Sequence, residues 1–389
     1  MVRGCRVYGH ASLSPDAYRE TLNEKKVASW FLRLTVNDSR LPIMRNVLII
    51  KLRYIGDVLL ATPTVRAIKA VRPDVRVTMM VNRGTEDLLS GNPDLDEIMV
   101  LDKGSLAAQS RLIAGLRSRQ FDTVIDLTDG DRSAFLTRVS GAPVRIGFND
   151  EHRWRGRYYT EVIQPASDVR HRIDRDLETL KPMSIQASSR DPQLWLTQEE
   201  IKSADQLLDE LGVQRSKSMV ILQPGARYWF KAWPLERFAE LANQLMSQYG
   251  CQVLIGGSDQ DIDIAQQIQR MAQKTPTIMA GRTTIKQFAA IAEKSALFVG
   301  SDSGAMHIAS AVGTPVVALF GPSNPREWGP RGGPVEVLYK EIDCRSCFHP
   351  TCSRGEENCM KLIAVHEVVA AAHRLLLARS RVAGGKAEG

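Results

Sequence analysis

Met44-Arg45-Asn46-Val47-Leu48-Ile49-Ile50-Lys51 runs into Leu52-Arg53-Tyr54-Ile55-Gly56-Asp57 and then into Val58 to Val71, and these three pieces in this order decide the fold. An unbroken Val/Leu/Ile run between polar residues reads as a parallel strand covered on both faces. Apolar residues at Val58, Ala61, Val65 and Ile68 trace one helical stripe, so the spacing predicts a helix over 58–71, ended by Arg72-Pro73. Val75–Val81, Glu97–Leu101 and Thr123–Leu127 repeat the strand character. Strand and helix in alternation predict a doubly wound parallel sheet.

A second alternating series starts near Ser218. Met219–Leu222, Gln252–Ile255, Leu297–Gly300 and Pro315–Phe320 read as strands, and Trp233-Pro234 opens a helix reaching Met246. The expected organisation is an N-terminal extension over 1–43, one nucleotide-fold domain over 44–190, a connection over 191–217 with a helix at Gln198–Leu211, and a second nucleotide-fold domain over 218–389. Residues 1–43 have no clean period. Two readings of them stand: Met44 is the initiator or the segment is dispensable, or Trp30-Phe31-Leu32 beside Lys25, Lys26 and Arg33 touches a membrane. The chain is expected to lose order from Ala383 onward.

The 389 residues are 43% hydrophobic and 24% charged, the balance of an ordinary water-soluble protein. No apolar run approaches the roughly 20 residues a membrane-spanning helix needs, and the start lacks a signal-peptide layout, so a cytoplasmic location is expected. Lys and Arg number 51 against 44 Asp and Glu, a formal charge of +7. That excess favours anionic partners in general, whether nucleotide, phosphorylated glycolipid, membrane surface or nucleic acid. Cys344, Cys347, Cys352 and Cys359 fall together in a spacing that opens like a zinc site but lacks its second paired knuckle. Structural zinc and four reduced thiols both remain open.

Three segments carry chemistry. The first is Lys51 to Asp57, at the carboxyl end of the first strand, where open parallel sheets bind ligands. Its only glycine is Gly56, so the G-x-G-x-x-G turn of a dinucleotide enzyme is missing. Asp57 is read either as a helix cap or as a catalytic carboxylate. The second is Gly300-Ser301-Asp302-Ser303-Gly304-Ala305-Met306-His307, a strand leading into a helix whose N-terminus suits an anion. Asp302 suits sugar hydroxyls better than phosphate, and His307 has equal claim to be a satisfied core histidine. The third is Gln223-Pro224-Gly225-Ala226-Arg227 through Phe230-Lys231-Ala232-Trp233-Pro234, where Arg227 and Lys231 put two cations on one loop. Such a pair suits a departing diphosphate.

On these segments the chain resembles glycosyltransferase family 9, the lipopolysaccharide heptosyltransferases. The likeness is carried by Ile50-Lys51 with Gly56-Asp57 through Pro63, by Lys231-x-Trp233-Pro234, and by Asp302-Ser303-Gly304-x-x-His307 through Phe320-Gly321-Pro322. Gln223 to Phe230 and Asp126-Leu127-Thr128-Asp129 look nearest to the heptosyltransferase III branch. The likeness covers about residues 45–375. It implies a GT-B fold, with an acceptor domain first and a donor domain second, and inverting, metal-independent transfer from ADP-L-glycero-β-D-manno-heptose. By position it implies Asp57 as general base and Lys231 as diphosphate contact. Asp302 would hold the heptose hydroxyls, and Ser303, Gly304 and His307 would surround the phosphates. Asp259 or Asp261 is the expected ribose carboxylate.

The implied acceptor is the inner-core glycolipid, met at the inner face of the membrane by a peripheral enzyme without nucleic acid or catalytic cofactor. Lys51 and Arg53, with Arg153 and Arg155 in His152-Arg153-Trp154-Arg155-Gly156-Arg157-Tyr158-Tyr159, are the expected acceptor contacts; the second stretch also reads as a solvated basic loop. Other readings are a GT-B enzyme for another nucleotide sugar, and an inactive nucleotide-sugar-binding relative. Retention of Asp57, Lys231 and Asp302 together argues against the latter.

Overall fold

A computed structural model describes residues 44–102, 106–164, 170–342, 344, 352, 354 and 358–384. Both readings of residues 1–43, a dispensable extension and a membrane-touching segment, lie outside the described residues. The first sheet begins with β1 (Asn46–Lys51), whose Val47, Leu48, Ile49 and Ile50 are wholly buried, as the apolar run requires. Covering both faces of such a strand contributes roughly 1.5–3 kcal/mol per large aliphatic side chain.

The expected single helix over 58–71 is two. Helix α1 (Ile55–Leu60) stops at Ala61, and α2 (Thr62–Val71) restarts with a proline in its first turn. Pro63 has no N–H and a fixed φ, which suits a helix start and interrupts a continuing helix. The chain continues through β2 (Arg76–Asn82), β3 (Glu97–Leu101), α3 (Leu106–Ser118), β4 (Thr123–Asp126), α4 (Asp131–Val139), β5 (Val144–Phe148), β6 (Glu161–Ile163) and α5 (Arg172–Glu178). Helix α6 (Gln198–Glu210) stands between the two sheets in sequence. Thr197 and Glu200 cap it reciprocally: the Thr197 hydroxyl accepts from the Glu200 N–H, and the Glu200 carboxylate accepts from the Thr197 N–H.

The second sheet is built by β7 (Met219–Gln223), α7 (Leu235–Gln248), β8 (Gln252–Ile255), α8 (Ile262–Met271), β9 (Thr277–Ile278), α9 (Ile285–Lys294), β10 (Leu297–Ser301), α10 (Gly304–Ala311), β11 (Val316–Phe320), α11 (Pro325–Trp328) and β12 (Val335–Tyr339). Helix α12 (Val365–Gly384) carries order past Ala383, further than expected.

Both sheets have six strands, paired in parallel throughout, in orders β3-β2-β1-β4-β5-β6 and β9-β8-β7-β10-β11-β12. Counted by appearance, each order is third, second, first, fourth, fifth, sixth. In each lobe the direction of winding therefore reverses between the first strand and the fourth, and open parallel sheets bind ligands beyond the carboxyl ends of their strands at such a point. One apolar cluster runs through both lobes, from Val47, Ile49 and Ile125 to Ile221, Phe298 and Met306. Between the lobes, the Nε2–H of His171 donates to the Gly329 carbonyl at 2.8 Å, and Asp174 pairs with Arg331 at 2.9 Å. Among the described residues no helix is long and apolar enough to cross a membrane.

Candidate active site

The reversal points place all three chemical segments. In the first lobe the loop after β1 lies beside the loop after β4. The Leu52 N–H donates to Thr128 Oγ1 at 2.7 Å, and the Arg53 guanidinium donates to the Thr128 carbonyl at 3.2 Å. The chain then enters α1, whose cap position is Tyr54 in extended conformation, with no side-chain cap bond. Asp57 is the third residue of this helix, within its first turn rather than at the cap, so the capping reading fails on position. Its half-buried carboxylate has no hydrogen bond or ion pair among the described residues.

In the second lobe the loop after β7 closes a short turn, Trp229–Lys231, and the loop after β10 carries Asp302. Lys231 Nζ lies 2.6 Å from Asp302 Oδ2. Ser303 caps α10, its hydroxyl accepting from the Met306 N–H at 3.5 Å, so the helix start is set immediately after Asp302. His307 is 4% exposed, and its Nδ1 has no hydrogen-bond partner among the described residues. Burial lowers its pKa against the opposing pull of the Asp302 and Asp57 carboxylates, with Lys231 adding to the lowering. The imidazole is therefore neutral near pH 7, and it feels charges from both lobes.

The lobes meet at this place. Helix α1 packs on α10, where a methyl group added at Gly56 would stand 2.8 Å from His307 Cδ2. Beside that contact, the exposed Arg227 lays its guanidinium carbon 3.3 Å above the Tyr54 ring. Arg227 has no carboxylate partner among the described residues, so its charge is balanced only by aromatic faces. Asp57, Lys231, Asp302, Ser303, Gly304, His307 and Arg227 are thus brought together.

Other expected residues are placed differently. Lys51 is 1% exposed; its ammonium donates to Asp176 Oδ2 at 2.7 Å and to the Leu127 carbonyl at 3.0 Å. Arg155 is 2% exposed and ion-paired with Asp129 at 2.9 Å and with Asp131 and Glu151 at 3.3 Å. The expectation that these two cations face an acceptor is corrected: each neutralises carboxylates inside its own lobe. Arg53 is exposed, and Arg153 is exposed while pairing with Asp131 at 3.0 Å. Asp261 lies against Gly225, but its Oδ2 already accepts from the Ser258 N–H at 2.7 Å and the Ser258 hydroxyl at 2.9 Å, closing the turn before α8. Asp259 is exposed. Among the described residues no group of three or more His, Cys, Asp and Glu is placed to hold a metal; Cys347, on which the zinc reading turns, lies outside them.

Sequence reasoning missed Asp176 and Arg175. Arg175 bonds both Asp129 (2.8 Å) and Asp150 (2.9 Å), and its guanidinium lies 3.6 Å over the Phe148 ring. Neither has a local motif. The one available signal was physical: a lysine ending a buried strand needs a buried partner.

The model of glycosyltransferase family 9 (heptosyltransferase) matches residues 109–357. The chain belongs to this family. Among curated proteins it is 32% identical over 289 residues to lipopolysaccharide heptosyltransferase 3 of Escherichia coli K12, covering 72% of this chain and 83% of that one. Among solved structures, a family 9 glycosyl transferase of Veillonella parvula superposes with a TM-score of 0.77 at 24% identity, covering 87% of this chain and 98% of that one. The E. coli ADP-heptose lps heptosyltransferase II superposes with a TM-score of 0.72 at 23% identity, covering 86% and 99%. The family 9 chain is a glycosyltransferase with the two-lobed GT-B architecture.

Proposed function

We propose that this enzyme transfers heptose, with inversion, from ADP-L-glycero-β-D-manno-heptose to the lipopolysaccharide inner core, in the manner of the heptosyltransferase III branch. The observation that carries the reading is one arrangement: an unpartnered Asp57 carboxylate on one lobe faces the Lys231–Asp302 pair and the start of α10 on the other, around a buried His307. The identity to two lipopolysaccharide heptosyltransferase 3 sequences, 32% and 29%, supports the branch. The lobe over 44–190 would take the acceptor, residues 191–217 connect, and the lobe over 218–389 would take the donor.

In this mechanism Asp57 removes the proton from an acceptor hydroxyl as it attacks the anomeric carbon opposite the leaving ADP. Lys231, Arg227 and the N-terminal end of α10 stabilise the charge that grows on the diphosphate. Asp302 orders Lys231 and accepts from heptose hydroxyls. With protein cations in this role the step proceeds without a divalent ion, so EDTA leaves transfer intact; dependence on added Mg²⁺ would contradict it. Arg53 and Arg153 are the exposed cations left for a phosphorylated acceptor at the inner face of the membrane.

The decisive experiment incubates the enzyme with ADP-heptose and core oligosaccharides of defined truncation and weighs the products. A gain of one heptose on a single truncation identifies the acceptor. Transfer from UDP- or GDP-sugars in preference to ADP-heptose would overturn the donor assignment.

A further inference from the structure

The contact between α1 and α10 is built from two glycines used in the same way. A methyl on Gly304 would stand 2.8 Å from Ile55 Cγ2 and 2.9 Å from Ile55 Cβ, with the Gly56 backbone nitrogen at 3.5 Å. A methyl on Gly56 would meet the His307 ring at 2.8 Å. Each helix start thus receives a side chain of the opposite lobe in the notch its own glycine leaves. Neither glycine has positive φ, so left-handed backbone does not explain them; close approach does. Asp57 directly follows one notch, and Ser303 directly precedes the other.

We propose that Gly56 and Gly304 are positioning residues, an interlock that sets the gap between the Asp57 carboxylate and the donor end of the site. The proposal rests on the reading of Asp57 as base and of the α10 start as the phosphate contact. The Ile55 Cβ is fixed to its helix and cannot rotate away as Cγ2 can. Ordinary contact begins at 3.4 Å, so a methyl at 304, now 2.9 Å from that atom, pushes the helices apart by about the 0.5 Å difference to reach it. A misplacement near 1 Å at a reacting centre costs about 10²-fold in rate. The loss falls on kcat, because the groups of each lobe keep their own geometry while the distance across the contact grows.

The test is a cycle of Gly304→Ala, Ile55→Gly and the double variant, read by transfer kinetics, ADP affinity and thermal melting. Gly304→Ala should lower kcat about 10- to 100-fold, with ADP affinity within about threefold. Ile55→Gly, which empties the Gly304 notch, should lower kcat less than Gly304→Ala does, and the double variant should return to the Ile55→Gly level in kcat and in melting temperature. Should Gly304→Ala fail to fold, folding and turnover restored in the double variant report the same interlock. Wild-type turnover in Gly304→Ala overturns the proposal, as does a double variant no better than Gly304→Ala, since the methyl would then obstruct the ligand itself. Failure of the underlying site reading looks different: Asp57→Asn would keep transferring, while the melting cycle still reports whether the methyl and Ile55 collide.

Discussion

The two lobes share strand order and parallel pairing, yet their reversal points are furnished in opposite ways. In the first, the lysine that ends β1 is buried against Asp176, and Arg155 and Arg175 are held by Asp129, Asp131 and Asp150. The Asp57 carboxylate stands without a partner among the described residues. In the second, the lysine on the loop after β7 is 22% exposed and pairs with a carboxylate beside a helix start, and Arg227 lies over the Tyr54 and Tyr228 rings with no ion pair among the described residues. The same fold therefore closes Lys51, Arg155 and Arg175 onto carboxylates in one lobe and leaves Lys231 and Arg227 more open in the other. Topology supplies the crevice, and the loop residues decide what it does.

This contrast can be broken experimentally. The largest effect is expected at Asp57: Asp57→Asn should reduce transfer by about 10²–10⁴-fold with folding and ADP affinity intact. A rate within about threefold of wild type removes it as the base. Next comes the pair of lysines. Lys51→Met should destabilise the protein by about 3–5 kcal/mol in denaturant titration, because it strands a buried Asp176, and Lys51→Met/Asp176→Leu should recover most of that loss. Lys231→Ala should instead leave stability nearly unchanged and lower kcat and donor affinity together, by about 10²-fold in kcat/KM. Equal loss of stability in the two lysine variants would erase the distinction between the lobes.

The smallest effect concerns the contact between α5 and the segment after α11. Burial lowers His171 from 6.5 to about 4, against the favourable bond to Gly329. Its Nδ1 accepts from the Ile173 N–H, so the neutral ring is the one that fits. Between those two pH values the unfolded chain binds a proton that the folded chain does not. The contribution of the neutral ring is complete above about pH 6.5 and is lost as pH falls toward 4, on the order of 3 kcal/mol in all. His171→Gln should flatten the dependence of unfolding midpoint on pH between 7 and 4.5. An unchanged slope would assign it to the carboxylates alone.

The strands near the middle of each sheet were legible because parallel strands buried on both faces leave unbroken apolar runs. Four others were not. In β5 Arg145 and Gly147 interrupt the run, β6 spans Glu161–Ile163 and is largely exposed, β9 has two residues, and β12 alternates with Glu336 and lies half exposed. Three of them, β6, β9 and β12, are edge strands, where one side of the strand lacks a neighbour to bury it. The site divides the same way. Asp57, Lys231 and Asp302 lie just after strands, where position along the chain predicts position in space. The partner of Lys51 lies 125 residues away, and only the assembled lobe brings it near.

The apolar cluster shared by the two lobes bears on how such enzymes can be recombined. Splicing the first lobe of one family member to the second lobe of another, at the connection before β7, would leave both sheets intact as units. It would also break the apolar cluster that here continues from one lobe to the other across the seam where Ile55 meets Gly304 and Gly56 meets His307. The two lobes are therefore not freely interchangeable in this chain. A working chimera would have to carry its seam residues along with the lobe it imports.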